Sequence, residues 1–265
     1  MLRAKLWILF FVVGSLFGAE HYAKVEPVNR FTLKSSVAGL ITFADKSAEG
    51  KLIKDRVIVQ IDDKMDKREL ENARATKRIT KESIELTREI LPTLQENYDR
   101  QRGYFKRLSR LSTASRNQKD LAFSAMSSSK NILISTKEKL LNLKKQLHDI
   151  DYKIELLEDR ISKKSFRLEN LYLYKLMVNR GDYASFGLPI AVVDDLSSAK
   201  ITIFLSEDEL KNVENSSIWI NGKKSDLKFS KIWREADEKF ISSYRAEIIL
   251  PPKYRFSSLV KVEIR

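Results

Sequence analysis

The stretch Val57–Leu70, VIVQIDDKMDKREL, changes period in its middle. Val57-Ile58-Val59-Gln60-Ile61 is short, β-branched and bounded by charged residues, so it reads as a strand. From Lys64 the sequence becomes helix-like, and no strand-like run returns until after residue 165. Between Lys64 and Arg180 the only punctuation is Pro92 and Gly103. Inside that block a 4-3 spacing runs through Ala122, Met126, Ser129, Leu133, Thr136, Leu140, Leu143, Leu147, Ile150, Ile154, Leu157 and Ile161. An earlier and weaker series runs through Leu70, Ala73, Lys77, Thr80, Ile84, Thr87, Leu91, Leu94, Tyr98, Gln101, Phe105 and Leu108. A 3.5-residue period keeps one seam facing a partner helix. Two such arms joined by a short polar link predict an antiparallel coiled-coil hairpin.

The link is STASRNQKD, Ser112–Asp120, in which Ser115 and Gln118 have the spacing of a capping box. The second helix is therefore expected to begin just after Ser115, giving arms of ~45–50 residues, or ~70 Å at 1.5 Å per residue. Pro92 lies inside the first arm, where a missing N–H and a ring clash cost ~3 kcal/mol, so a kink or short break is expected there.

The segments flanking the hairpin resemble each other. EGKLIKDRVIVQIDD (Glu49–Asp63) and RGDYASFGLPIAVVDD (Arg180–Asp195) share a turn glycine, a later apolar run and a closing Asp-Asp, which makes a weak internal repeat with the helices inserted between its copies. The acidic pairs Asp62-Asp63 and Asp194-Asp195 fit turn and cap duty better than paired acid catalysis. Leu171–Val178 reads as a strand, and so do Lys200–Leu205, Ser217–Ile220 followed by an Asn221-Gly222 hairpin turn, SYRAEIIL before Pro251-Pro252, and the closing LVKVEIR. Short strands at this spacing suggest a small antiparallel β-barrel.

This order of parts resembles the HlyD-type membrane fusion proteins, the periplasmic adaptor subunits of tripartite efflux pumps and type I secretion systems. The residues that carry the likeness are SVAGLITF (Ser36–Phe43), EGKLIKDRVIVQIDD, GDYASFGLPIAVVDDLS (Gly181–Ser197) and AKITIFLSEDEL (Ala199–Leu210). The resemblance implies an α+β fold, with a long coiled-coil α-hairpin inserted in a split lipoyl-like barrel-sandwich and a small antiparallel β-barrel after it. On this chain the expected parts are a signal peptide at 1–19, the first lipoyl-like half at 20–63, the hairpin at 64–164, the second half at 165–198 and the barrel at 199–265. Gly39, Gly50, Gly181 and Gly187 fall at the lipoyl-like turns.

The family also implies a tip motif that docks on an outer-membrane channel: an Arg, a Leu four residues on, and a Ser seven further. Arg107 and Leu111 fit; the third place falls on Gln118, and Ser115 lies three residues early, so the tip is shorter than the motif requires. Implied partners are an inner-membrane transporter of RND or ABC type, an outer-membrane efflux channel and further copies of the chain in a hexameric ring. Many members continue into a membrane-proximal domain, and the residues after the barrel are too few for one. Contact with the transporter then falls to the barrel, the lipoyl-like part or a retained N-terminal anchor.

The N-terminus carries Arg3 and Lys5, then a 12-residue apolar run, Leu6–Phe17, and Gly18-Ala19. The run is too short to span ~30 Å of hydrocarbon, and it fits a signal peptide for export to the periplasm, cleaved near Ala19 or kept as an anchor. The chain has no Cys, which removes disulfides and lipid attachment through sulfur. The formal net charge is +13, and export argues against nucleic acid as the partner of that charge. The two histidines, His21 and His148, lack a second ligand at metal spacing, and no phosphate-binding loop or nucleophile elbow occurs, so no cofactor and no catalysis are expected.

One competing expectation concerns Lys64. An Asp-Lys step after a strand is where lipoyl and biotinyl carrier domains display their modified lysine. In such a domain the lysine sits at the apex of a tight hairpin turn, whereas here Lys64 opens a heptad-bearing helix. A third expectation is a periplasmic coiled-coil scaffold that binds the envelope without a transporter.

Overall fold

The computed structural model describes residues 19–213, 216–237, 240 and 242–265, so the expected signal segment lies, except for Ala19, outside the described residues. Along the chain come β1 (Ala19–Lys24), β2 (Glu26–Lys34), β3 (Gly39–Ala44) and β4 (Lys51–Ile61). Two long helices follow, α1 (Lys64–Arg110) and α2 (Arg116–Lys163). After them come β5 (Ser165–Leu176), β6 (Tyr183–Ala184), β7 (Pro189–Leu205) and the short α3 (Glu207–Asn212). The chain closes with β8 (Ile218–Ile220), β9 (Lys223–Ser225), β10 (Phe229–Ala236), β11 (Tyr244–Leu250) and β12 (Leu259–Ile264). The result is a mixed helix-and-sheet fold with a long helical hairpin and antiparallel pairing throughout.

Two separate apolar cores sit beneath the strands. The first gathers Ile41, Ile58, Ile61, Leu168, Leu173, Leu176, Ile190 and Val193 from β3, β4, β5 and β7. The second gathers Ala23, Val25, Ile201, Ile203, Leu205, Ile218, Ile248, Leu250 and Val262. Strand β7 belongs to both. Its 17 residues, ~55 Å at ~3.3 Å each, pair with β5 and most of β2 at one end and with β11 at the other.

Strand β1 is hydrogen-bonded to β12, from Ala19↔Ile264 to Lys24↔Leu259, in a four-stranded sheet ordered β1-β12-β8-β9. The start of the 20–63 segment, expected to join the lipoyl-like part, thus contributes Ala23 and Val25 to the second core. Nothing in the short polar sequence of β1 names its partner, which lies some 240 residues away in the chain. The turn at Asn221-Gly222 has positive φ at both residues (49° and 78°), as a two-residue hairpin of this hand requires.

Two further expectations need correction. Asp194-Asp195 does not close a strand, because β7 runs on to Leu205. Asp194 is buried in mid-strand and accepts two bonds from the Arg30 guanidinium, 2.7 Å from Nε and 2.8 Å from Nη2. The expected break at Pro92 is absent, and α1 is continuous over 47 residues. Pro92 and Arg88 both lie on the exposed side of the helix, so the Arg88 carbonyl that loses its donor faces water. Among the described residues no helix is long and apolar enough to cross a membrane.

Candidate functional site

The candidate site is the hairpin, considered as base, seam and tip. Strands β4 and β5 pair up to Gln60↔Ser165, so both helices leave from neighbouring strand ends. The Ile61 N–H donates to the Lys164 carbonyl (2.8 Å), and Gln60 Nε2 donates to the Ile61 carbonyl and to Asp63 Oδ2 (2.8 and 3.1 Å). Lys164, the C-cap of α2, donates from Nζ to the Asp62 carbonyl (2.7 Å) and pairs with Asp66, which also takes a bond from Arg160 (3.3 Å). Burial pushes the Asp66 carboxyl up, but the bonds and charges of Lys164 and Arg160 outweigh it and hold the group below its ordinary value. These groups clamp the hairpin onto the first core.

The base was missed at sequence level, although the signal was present. Extending the 4-3 spacing one step back from Leu70 lands on Asp66, and one step on from Ile161 lands on Lys164. Opposite charges at the two ends of the seam mark the place where the helices meet the strands.

Every residue of both predicted seam series is buried or half-buried. Ile154 and Leu157 join Leu70 and Ala73 in a small cluster with Ile150 and Ile161, and Leu140, Leu143 and Leu147 are half-buried further out. Beyond the Asp66 pairs, three further ion pairs cross between the arms near the base among the described residues: Arg74–Glu158 (2.6 Å), Lys77–Asp151 (2.7 Å) and Lys153–Glu69 (2.8 Å). Near the far end Phe105 and Phe123 pack with ring centroids 5.5 Å apart.

At the tip, the Ser115 N–H donates to Gln118 Oε1 (2.9 Å) and the Gln118 N–H donates to Ser115 Oγ (3.2 Å), forming the capping box predicted from the sequence. Arg107 lies in the last turn of α1 and Leu111 is its C-cap. All four residues are exposed and gather around the loop, but the side chains of Ser115 and Gln118 are occupied with each other. Arg107 also borders an open concavity with Asn97, Arg100, Gly103 and Tyr104.

Lys64 is the first residue of α1, and its N–H donates to Asp62 Oδ1 (3.1 Å). It is not the apex of a tight turn. His148 is exposed, and His21 Nε2 lies 2.6 Å from Glu209 Oε1. Gly39 is required by close approach, since a Cβ there would stand 2.7 Å from Ile61 Cγ2. Gly50, Gly181 and Gly187 occupy turns between strands of the first core.

No protein-family model and no curated protein matches the sequence. Solved structures do. MacA from Actinobacillus actinomycetemcomitans aligns over 94% of this chain and 79% of its own, with a TM-score of 0.70 and 14% identity. A MacA–MexA chimera carrying the Pseudomonas aeruginosa MexA α-hairpin domain covers 94% and 82%, at 0.58 and 16%. A membrane fusion protein from Streptococcus pneumoniae covers 93% and 98%, at 0.55 and 12%. The chain has the fold of the membrane fusion proteins. At these identities the likeness establishes architecture, and it agrees with the HlyD-type resemblance carried by the sequence.

Proposed function

We propose that this chain is a periplasmic adaptor that links an inner-membrane transporter to an outer-membrane channel for efflux or secretion and does no chemistry itself. The observation that carries the proposal is the 47- and 48-residue helical pair projecting from adjacent strand ends of a β-structured body. Such a hairpin supplies reach and stiffness, and its exposed tip, with Arg107, Leu111, Ser115 and Gln118, is the part offered to the channel.

Self-association is part of the same reading. A two-helix seam only half-buries Leu140, Leu143 and Leu147, and off-seam residues Ile79, Leu86, Ile90, Ile134 and Leu141 stay exposed. Apolar surface of this extent on a hairpin favours contact with neighbouring copies, as in the ring that the family resemblance implies. Two β cores would then pack side by side around the transported substrate, with the transporter, of RND or ABC type, on the side away from the tip.

Deletion of Leu91–Leu133 is the test. The adaptor reading expects an exported, folded protein that no longer supports efflux or secretion by its cognate pump. Retained export of substrate after the deletion would exclude the bridging role. Recovery of an envelope scaffold with neither channel nor transporter would favour the scaffold reading instead.

A further inference from the structure

Charge is spread unevenly along the hairpin. Its body-ward stretch of α1, residues 64–99, carries eight cations and eight carboxylates. The next twenty residues, 100–119, carry five arginines, two lysines and no carboxylate. Among the described residues one ion pair is made there, from Arg116 Nε to Asp120 at 4.0 Å. The Arg116 side chain is 96% exposed, and a pair so open to water contributes little. Arg102, Lys106 and Arg110 follow one another at four-residue intervals, so they stand as a like-charged row along α1. All three are exposed, outside the seam formed here by the half-buried Gln101, Phe105 and Leu108.

The ordinary duties of surface charge do not account for this excess. Cations in the last turn of α1 suit the negative end of its dipole, which covers Arg107 and Arg110. Arg102 lies about two turns before that end. Arg116 is the first residue of α2, at the positive end, where a cation is disfavoured. Like charges four residues apart also oppose helix formation. Solubility asks for no single sign, and the body-ward stretch meets it with both.

The same end of the hairpin exposes apolar surface. Tyr104, Leu111, Leu121 and Phe123 are each at least half exposed. Arginine beside exposed aromatic side chains is the composition of a protein interface rather than of a merely solvated face. A guanidinium fork matches a carboxylate with two parallel bonds. Charge complementarity therefore selects a protein surface rich in Asp and Glu. At the loop itself the side chains of Ser115 and Gln118 are engaged in their own capping box, which leaves polar recognition to the cations.

We propose that the hairpin docks through this cationic collar onto a rim of Asp and Glu side chains on the protein that receives it. Arg102, Lys106, Arg110 and Arg116 take the carboxylates, and Tyr104 and Leu111 make the apolar contact. The inference rests on the adaptor reading, which makes that protein the outer-membrane channel. It adds that the periplasmic mouth of the channel is acidic and that recognition reaches ~15 Å back along α1 from its end.

The test follows association of the full chain with the detergent-purified channel of its cognate pump. It is run at about 0.1 M and about 1 M salt, where charges are felt over ~10 Å and ~3 Å. The association rate of the parent should fall steeply between the two. Arg102→Gln/Lys106→Gln/Arg110→Gln should slow association about 10-fold at the lower salt and hardly at all at the higher. A matched variant, Arg68→Gln/Arg78→Gln/Lys81→Gln, removes the same charge from exposed positions near the base and should stay within about twofold of the parent. A parent rate indifferent to salt, or equal rates for parent and collar variant, would overturn the collar and leave the adaptor reading standing. Equal losses in the two variants would overturn it as an effect of net charge alone. No binding of the parent to the channel would overturn the adaptor reading and the collar's partner together. Sedimentation of that same parent with purified peptidoglycan sacculi would then put the collar on a cell-wall carboxylate instead.

Discussion

Asp66 is the carboxylate in the attachment of hairpin to body that takes bonds from both Lys164 and Arg160, and its chemistry makes that part of the attachment sensitive to acid. Its folded pKa lies below the ordinary 3.8, so its contribution is complete above that value and is lost as pH falls through the folded value. Asp66→Asn should lower stability by ~1–3 kcal/mol near neutral pH, the range for a hydrogen bond to a charged group. Urea unfolding followed across pH should show the parent and the variant converging as the solution is acidified. Gly39 is the other position where a single atom decides: Gly39→Ala drives a Cβ into Ile61, and a loss of ~1–3 kcal/mol is expected in the same assay. At this scale the sequence was partly legible. The turn glycines Gly50, Gly181 and Gly187 and the Ser115–Gln118 cap follow from short-range rules. Gly39, expected at a turn, instead opens β3 and is held to glycine by Ile61, and Asp194 looked like a strand-closing residue and proved to be the buried partner of Arg30, 164 positions away.

The helices are the elements that local sequence specifies best. A 4-3 series of small and branched residues has one seam-forming arrangement, and each of its positions is at least half-buried. Leu157→Ala should cost ~2–4 kcal/mol, since Leu157 is 3% exposed and truncation leaves a cavity in the small cluster at the base. The same change at the half-buried Leu143 should cost less than half as much, and thermal unfolding monitored by helical circular dichroism gives both values. Of the kink or short break expected at Pro92, the break does not occur, because the lost hydrogen bond falls on the wet side of the helix. Pro92→Ala should therefore stabilise the hairpin by ~1–2 kcal/mol, the restored bond being partly offset by a more flexible unfolded chain. Strand β5 also begins earlier than its apolar run suggested, at Ser165 directly after the α2 cap, because pairing with β4 extends it toward the helix.

For the whole molecule, the insertion of the hairpin is its defining feature. The ends of β4 and β5 are paired at Gln60↔Ser165. Replacing residues 64–163 by a short hairpin turn should therefore leave both β cores cooperative while removing nearly all helical signal. Circular dichroism combined with a sharp thermal transition would check this, and a molten product would show that the base clamp is needed for the first core. An intact mass equal to that of the unmodified chain from Glu20 or Met1 is expected for Lys64, which stands at a helix start.

Heptad spacing, capping residues and turn glycines act over a few residues, and by themselves they determined the hairpin, its length, its cap and the strand-like character of its flanks. Strand pairing in the sheets joins residues that are far apart in sequence, and period-2 patterns carry no label for the partner. Only the tertiary structure could place β1 beside β12, run β7 through two cores and bury Asp194 under Arg30. The opening stretch, VIVQIDDKMDKREL, spans both regimes. Its helix is dictated locally from Lys64 onward, while its strand acquires meaning from Ser165 on the other side of the insertion.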